Sequence, residues 1–171
     1  ARALRGENPL GATTHISVLD AQGMAAAMTT SNGEGCGHVL PGLGIHVNNF
    51  LGEDDINPAG FHQLPPGMSM STMMSPTLVL AGDRACFALG SGGSNRIRSA
   101  ILQALLNLLA YRRPLDEAVN AARLHVEGRK LWFESPGLAA GAADALHSAW
   151  PEATRFDVKS MFFGGVNCVA D

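Results

Sequence analysis

The chain has 171 residues, is 46% hydrophobic and only 16% charged, and carries a formal net charge of -3. A chain of this size can bury a substantial core, and its Lys and Arg residues are scattered instead of forming the basic stripe of a nucleic-acid binder. No apolar run approaches the roughly 18 to 20 residues needed to span a bilayer, and the N-terminus, with Arg2, Arg5, Glu7 and Pro9, lacks the apolar centre of a signal peptide.

Low charge together with 20 Gly and 7 Met predicts that part of the surface lies against a partner chain. Cys36, Cys86 and Cys168 are widely spaced, and the six histidines are dispersed, with neither CxxC nor HExxH spacing. No metal or other cofactor is expected, and the thiols read as free and buried.

In chain order, Thr13-Thr14-His15 leads into the alternating run Ile16 to Leu19, and Met24 to Thr30 follows after the polar turn Asp20-Ala21-Gln22-Gly23. The pair reads as a β-hairpin. Thr13 is either a β-branched strand opener or, if the chain is cut between Ala12 and Thr13, a nucleophile carrying its own base. A terminal α-amine with a pKa of roughly 7.7 to 8.0 sits within reach of the residue's own hydroxyl. Residues 31–44 hold five glycines and a proline and read as a loop through which backbone can approach a ligand. Residues 45–49 form a brief strand, and residues 52–67 a long irregular connection containing Glu53, Asp54 and Asp55.

A second hairpin is predicted from Leu78 to Ala81 and Ala85 to Leu89 around Gly82-Asp83, then a flexible loop Gly90-Ser91-Gly92-Gly93-Ser94-Asn95. Ile97, Ala100, Ile101, Ala104, Leu105, Leu108 and Leu109 repeat at helical spacing, and Pro114 opens another helix with Asp116 and Glu117 in its first turn. Residues 131–134 read as a strand, 139–150 as a weaker helix containing Gly141, and 160–169 as a strand interrupted by Gly164-Gly165. The order gives an α+β architecture with helices covering an antiparallel sheet. GSGGSN lacks the GxGxxG order and the βαβ setting of a dinucleotide loop, but it offers unhindered N–H donors for an anion or an oxyanion. No GxSxG elbow is present.

A candidate nucleophile at a strand start, a donor loop, a Ser/Thr cluster (Ser69, Ser71, Thr72, Ser75) and neighbouring acids form one constellation. The segments TTHISVLDAQGMAAAMTTSN, PGLGIHVNN, MMSPTLVL and GSGGSNRIRSAILQALLN, in this order, resemble the small catalytic subunit of the gamma-glutamyltransferases (gamma-glutamyltranspeptidases), which are N-terminal-nucleophile hydrolases. The resemblance covers about residues 12 to 126.

It implies a four-layer αββα sandwich and a precursor that cleaves itself between Ala12 and Thr13. The freed Thr13 would then attack a γ-glutamyl amide to form an acyl-enzyme. It further implies a supporting hydroxyl from Ser31 or Thr30, and contact of Asn32 with the α-amino end of the substrate. Glu53 or Asp54 would pair with that ammonium, and Ser71 and Thr72 would hold the α-carboxylate. Gly92-Gly93-Ser94 would be the oxyanion loop, Gly92 touching substrate and the Gly93 and Ser94 amides donating. Phe50, where a polar contact is common, and the altered 52–55 loop leave specificity open toward a cephalosporin-acylase-like amidohydrolase.

By the same resemblance, residues 1–12 are the tail of a large-subunit region and 13–171 the small subunit, with a closing segment expected beyond Asp171. The expected partners are the large subunit of the same precursor, as a heterodimer, and a γ-glutamyl small molecule. The rival from another class is a non-catalytic domain that keeps the fold for binding or structure.

Overall fold

The computed structural model describes residues 13–171, so the expectations for Ala12 and for residues 1–12 as a separate segment lie outside the described residues. The first hairpin pairs β1 (Thr13–Leu19) with β2 (Ala25–Ser31) in antiparallel register, Thr13 opposite Ser31 and His15 opposite Thr29. Its turn is closed by the Asp20 carboxylate, which accepts from the Gln22 and Met24 amides at 2.9 and 2.8 Å. Gly23, at φ 87°, takes the left-handed position that a side chain would strain.

The pleat sorts this hairpin by chemistry. Thr13, His15, Ser17, Thr29 and Ser31 lie on the inner face, whereas Ile16, Val18 and Met28 lie outward and about half exposed.

The 31–44 stretch is more regular than its glycines suggest. Ser31 completes β2, and β3 (Val39–Leu40) pairs with β4 (Ile45–His46), which stops well short of Asn49. Two short 3₁₀ turns, Phe50–Gly52 and Asp54–Ile56, order part of the long connection. The second hairpin joins β5 (Thr77–Ala81) to β6 (Arg84–Ser91), so Gly90 and Ser91 belong to a strand and not to the following loop.

Helix α1 (Arg96–Leu105) buries Ile97, Ala100, Ile101 and Ala104 against Leu89 of β6 and Val166, the central hydrophobic cluster. It then widens into a π turn over Leu106–Ala110. Helix α2 (Leu115–Asn120) leads into β7 (Leu124–Glu127), which pairs with β8 (Lys130–Glu134). Helix α3 covers Ala142–Ala149, with Gly141 as its left-handed N-cap instead of an interior residue. Strand β9 (Thr154–Phe156) pairs parallel to β8, an exception to the expected antiparallel pattern.

The final predicted strand divides. A 3₁₀ turn occupies Met161–Phe163, and β10 (Val166–Ala170) pairs with β6 to give the sheet order β10-β6-β5. β1 and β2 lie against β6. The cysteines are free, but Cys36 is exposed because it sits on a surface loop, and Cys86 and Cys168 are only half-buried on β6 and β10, with Cys168 packed against the central cluster. Among the described residues no helix is long and apolar enough to cross a membrane.

Leu89 is fully buried between α1 and the sheet. Leu89→Ala should lower the free energy of unfolding by about 2 to 5 kcal/mol, read as a shift in denaturant midpoint without a change in slope.

Candidate active site

Strand pairing builds the centre of the site. The register sets Thr13 opposite Ser31 on the inner face, and the Thr13 hydroxyl donates to Ser31 Oγ at 3.0 Å. Ser31 Oγ also accepts from the Gly33 amide at 3.0 Å, which fixes its position. Thr30 is one residue away but points to the opposite face beside Thr14, so of the two hydroxyls only Ser31 meets the nucleophile candidate.

His15 shares the inner face. Its ring is buried, with Thr29 Oγ1 at 2.7 Å from Nδ1 and Ser17 Oγ at 2.7 Å from Nε2. The ring occupies the space beside Gly90, where a Cβ would collide with it. Burial pulls its pKa below the ordinary histidine value, so it sits neutral as a packed wedge.

Beyond Gly90, Ser91 is fully buried and its hydroxyl donates to the Gly92 carbonyl at 2.8 Å. Gly92 presses on Thr13, where an added Cβ would lie 2.9 Å from the Thr13 carbonyl oxygen and 3.3 Å from its Cβ. The next residues, Gly93 (φ 126°) and Ser94 (φ 53°), lie in left-handed backbone, and their carbonyls accept from Arg96 and Ile97 at the start of α1. Among the described residues no acceptor takes the Gly93 or Ser94 amide. Ser94 Oγ donates to Asp55, tying this loop to the acidic connection.

A second group assembles around the turn after Ser31. Glu53 Oε1 accepts from the Glu34 amide at 3.0 Å, and Asn49 Oδ1 accepts from Glu34 and Gly35 at 2.8 and 3.2 Å. Both side chains pack on Gly33, which has no room for a Cβ. Burial pushes the Glu53 carboxyl up, opposed by the Glu34 amide, while Asp55 and Glu34 add to the rise. Asn32 lies exposed with its amide donating to the His46 carbonyl at 3.3 Å. Asn57 staples the connection by donating to the Phe50 and Glu53 carbonyls, each at 2.7 Å. Asp54 is exposed on the 3₁₀ turn. Ser71 and Thr72 are exposed too, and Thr72 Oγ1 accepts from the Met74 amide at 3.1 Å.

The fold thus brings Thr13, Ser31 and Gly92 together and links Glu53 to the same turn, while Ser71 and Thr72 sit on a separate exposed segment. His15, Asn49 and Asn57 escape a reading by motif. Period-two alternation from Thr13 was the available signal for His15, and the Asn48-Asn49 pair that for Asn49. Among the described residues no group of three or more His, Cys, Asp or Glu side chains is arranged to hold a metal.

A hydroxyl at the first residue of a strand, braced by a cross-strand hydroxyl and facing a glycine loop whose Gly93 and Ser94 amides meet no acceptor among the described residues, is the arrangement of an N-terminal-nucleophile hydrolase fold. The chain belongs to the gamma-glutamyltranspeptidase family, whose model matches residues 2–170. It is 36% identical over 160 residues to an acylase ACY 1 proenzyme of Pseudomonas sp. (strain SE83), covering 92% of this chain and 28% of that one. It is 32% identical over 162 residues to a glutathione hydrolase proenzyme of Bacillus subtilis (strain 168), covering 94% and 27%.

Among solved structures, the gamma-glutamyltranspeptidase of Pseudomonas nitroreducens complexed with L-DON superposes with a TM-score of 0.75 at 26% identity, over 92% of this chain and 89% of that one. A mutant of the Helicobacter pylori gamma-glutamyltranspeptidase gives 0.76 at 28%, over 92% and 90%. The chain spans little more than a quarter of the length of the curated relatives it matches.

The neutral His15 makes stability depend on pH. Its folded pKa lies below the unfolded value of about 6.5, so the unfolded chain binds the proton first and stability falls as pH drops through that value. His15→Gln should flatten the loss of unfolding free energy between pH 7 and pH 5. The buried His125, shifted in the same direction, should supply the dependence that remains.

Proposed function

We propose that this chain is the catalytic part of a self-cleaving precursor in which Thr13, once freed from Ala12, acts as an N-terminal nucleophile on an amide substrate. The observation that carries the reading is the Thr13 to Ser31 hydroxyl pair, 3.0 Å apart and set against Gly92. In turnover the Thr13 oxygen bonds to the substrate carbonyl carbon while its proton passes to the α-amine. The tetrahedral oxyanion is held by the Gly93 and Ser94 amides. Collapse breaks the C–N bond, the departing amine takes the proton, and an ester to Thr13 remains. Water or a second amine, deprotonated by the α-amine, then attacks that ester and releases Thr13.

The family membership supports a γ-glutamyl amide as the substrate class. In that reading Glu53, held beside the turn after Ser31, pairs with the substrate ammonium, with Asn32 and Asp54 at the same end. Gly92 borders the acyl group, and Ser71 and Thr72 close on the α-carboxylate. A substrate ammonium next to Glu53 would offset the burial that raises its pKa. The remaining parts are a heterodimer with the large subunit of the same precursor and a completed αββα sandwich, with residues 1–12 on the large-subunit side and 13–171 as the small subunit. The outward row Ile16, Val18 and Met28, about half exposed, supports a covering layer on that side.

A second reading, an acylase acting on a different amide, is favoured by Phe50, a half-buried apolar residue whose backbone carbonyl accepts from the Glu53 amide at 3.3 Å. It keeps the same nucleophile and oxyanion loop.

In the full-length precursor, Thr13→Ala should abolish both cleavage before residue 13, read by mass of the new N-terminus, and amine release from a γ-glutamyl anilide. Ser31→Ala should slow turnover by roughly ten- to a hundredfold, with Ser31→Thr retaining most of it. A Thr13→Ala precursor that still cleaves and still turns over would sink the assignment. Wild-type cleavage without anilide turnover would favour the acylase reading.

A further inference from the structure

The oxyanion loop has almost no side chains with which to hold its own shape, so its support must come from whatever lies behind it. Behind it is the turn Met161 to Gly164. A Cβ on Gly164 would overlap the Gly92 carbonyl oxygen and come within 2.8 Å of Ser91 Oγ, and a Cβ on Gly93 would lie 2.9 Å from Gly164 Cα. Gly164 itself has φ 77° and ψ 165°, a conformation essentially reserved for glycine. The two glycine backbones are therefore in direct contact, and a shift of one moves the other.

This turn is pinned by two arginines. Arg123 donates one guanidinium nitrogen to the Gly164 carbonyl and the other to the Val119 carbonyl, the latter at 2.6 Å. Arg96, on the first turn of α1, donates to the Phe162 carbonyl at 3.0 Å and stacks over the Phe162 ring at 4.7 Å. Arg123 is in turn fixed through its backbone amide, which donates to Glu134 Oε2 at 3.1 Å. The buried Glu134 also accepts from the Ser160 amide at 2.8 Å and from Lys159 at 3.2 Å, tying the start of the turn to β8, while Arg123 holds its Gly164 end.

We infer that the Met161 to Gly164 turn is the back wall of the oxyanion loop, and that Arg123 is the positioning residue that sets its depth against Gly92 and Gly93. The inference rests on the proposed role of the Gly93 and Ser94 amides as oxyanion donors. Arg123 touches no reacting atom. It acts by bridging the Val119 and Gly164 carbonyls with a planar fork, which a lysine keeping the charge cannot reproduce.

The test uses the full-length precursor, with Arg123→Lys, Gly164→Ala and Gly165→Ala. Gly165 is the matched control, because a Cβ there meets only the flexible end of Met161 at 3.4 Å. In Arg123→Lys, kcat on the anilide, or on whichever amide the wild type turns over, should fall roughly ten- to a hundredfold with KM within about twofold. The melting temperature should be near that of the wild type. Gly164→Ala should approach the roughly 10²- to 10³-fold loss of a missing oxyanion donor, while Gly165→Ala stays near wild type.

The inference is overturned if Arg123→Lys turns over like wild type, if its loss appears in KM, or if the loss only tracks the unfolded fraction. A Gly165→Ala variant as impaired as Gly164→Ala overturns it too. A Gly164→Ala precursor that does not fold leaves the decision with Arg123→Lys. A wild type that neither cleaves nor turns over defeats the underlying reading, and this inference with it.

Discussion

Everything at the site depends on how closely β1 approaches β6. At Gly90 the His15 ring fills the volume a side chain would need, and at Gly92 the backbone of Thr13 does the same. Two backbones meet this closely only where one of them carries no Cβ, so Gly90 of β6 and Gly92 just beyond its end set the depth at which Thr13 rests. The hydroxyl row along the hairpin's inner face follows from that approach. Thr29, Ser17 and Ser31 are polar groups that would be costly to bury alone, and each finds a partner within the same row.

The same absence of side chains carries into the loop before α1. Gly93 and Ser94 adopt left-handed backbone, which Ser94 tolerates with its hydroxyl engaged to Asp55. A loop of this kind is shaped from outside. α1 fixes its far end through Arg96 and Ile97, the buried Ser91 hydroxyl fixes its near end, and the turn after Met161 fills its back. The core cluster of Leu89, Ile97, Ala100, Ile101, Ala104 and Val166 lies directly beneath, joining the strand before the loop, the helix after it and the strand that follows the turn.

Much of this was legible in the sequence, for reasons that differ by element. The spacing of Ile97, Ala100, Ile101 and Ala104 is a strong helical signal because the whole face is buried. The first hairpin is marked by a polar turn ending in glycine. Ser31 and Thr30 cannot be told apart by counting residues, since the choice is made by the pleat, and one step in register sends a side chain to the other face. Gly164-Gly165 looks like an interruption of a strand because what demands glycine at Gly164 is a loop about 70 residues away in the chain, a contact no local pattern encodes. Strands β7 and β9 are too short to show alternation, and β9 is held by a parallel neighbour that local sequence does not announce. The thiols misled for a simpler reason: a small apolar residue type says nothing about whether its own segment is covered.

The turn after Ser31 has one more consequence. Its amides are held by Asn49 and Glu53, and the connection that carries those side chains is closed on itself by Asn57. The stretch that carries Asn49, Glu53 and Asn57 is therefore a nearly self-contained module, attached to the Thr13 neighbourhood through Ser31 and through the Ser94 to Asp55 contact. Residues 45–57 could diverge, or be exchanged as a cassette between relatives, without disturbing the strand crossing that holds Thr13. Such a division of labour would let one reaction centre serve different amides across a family.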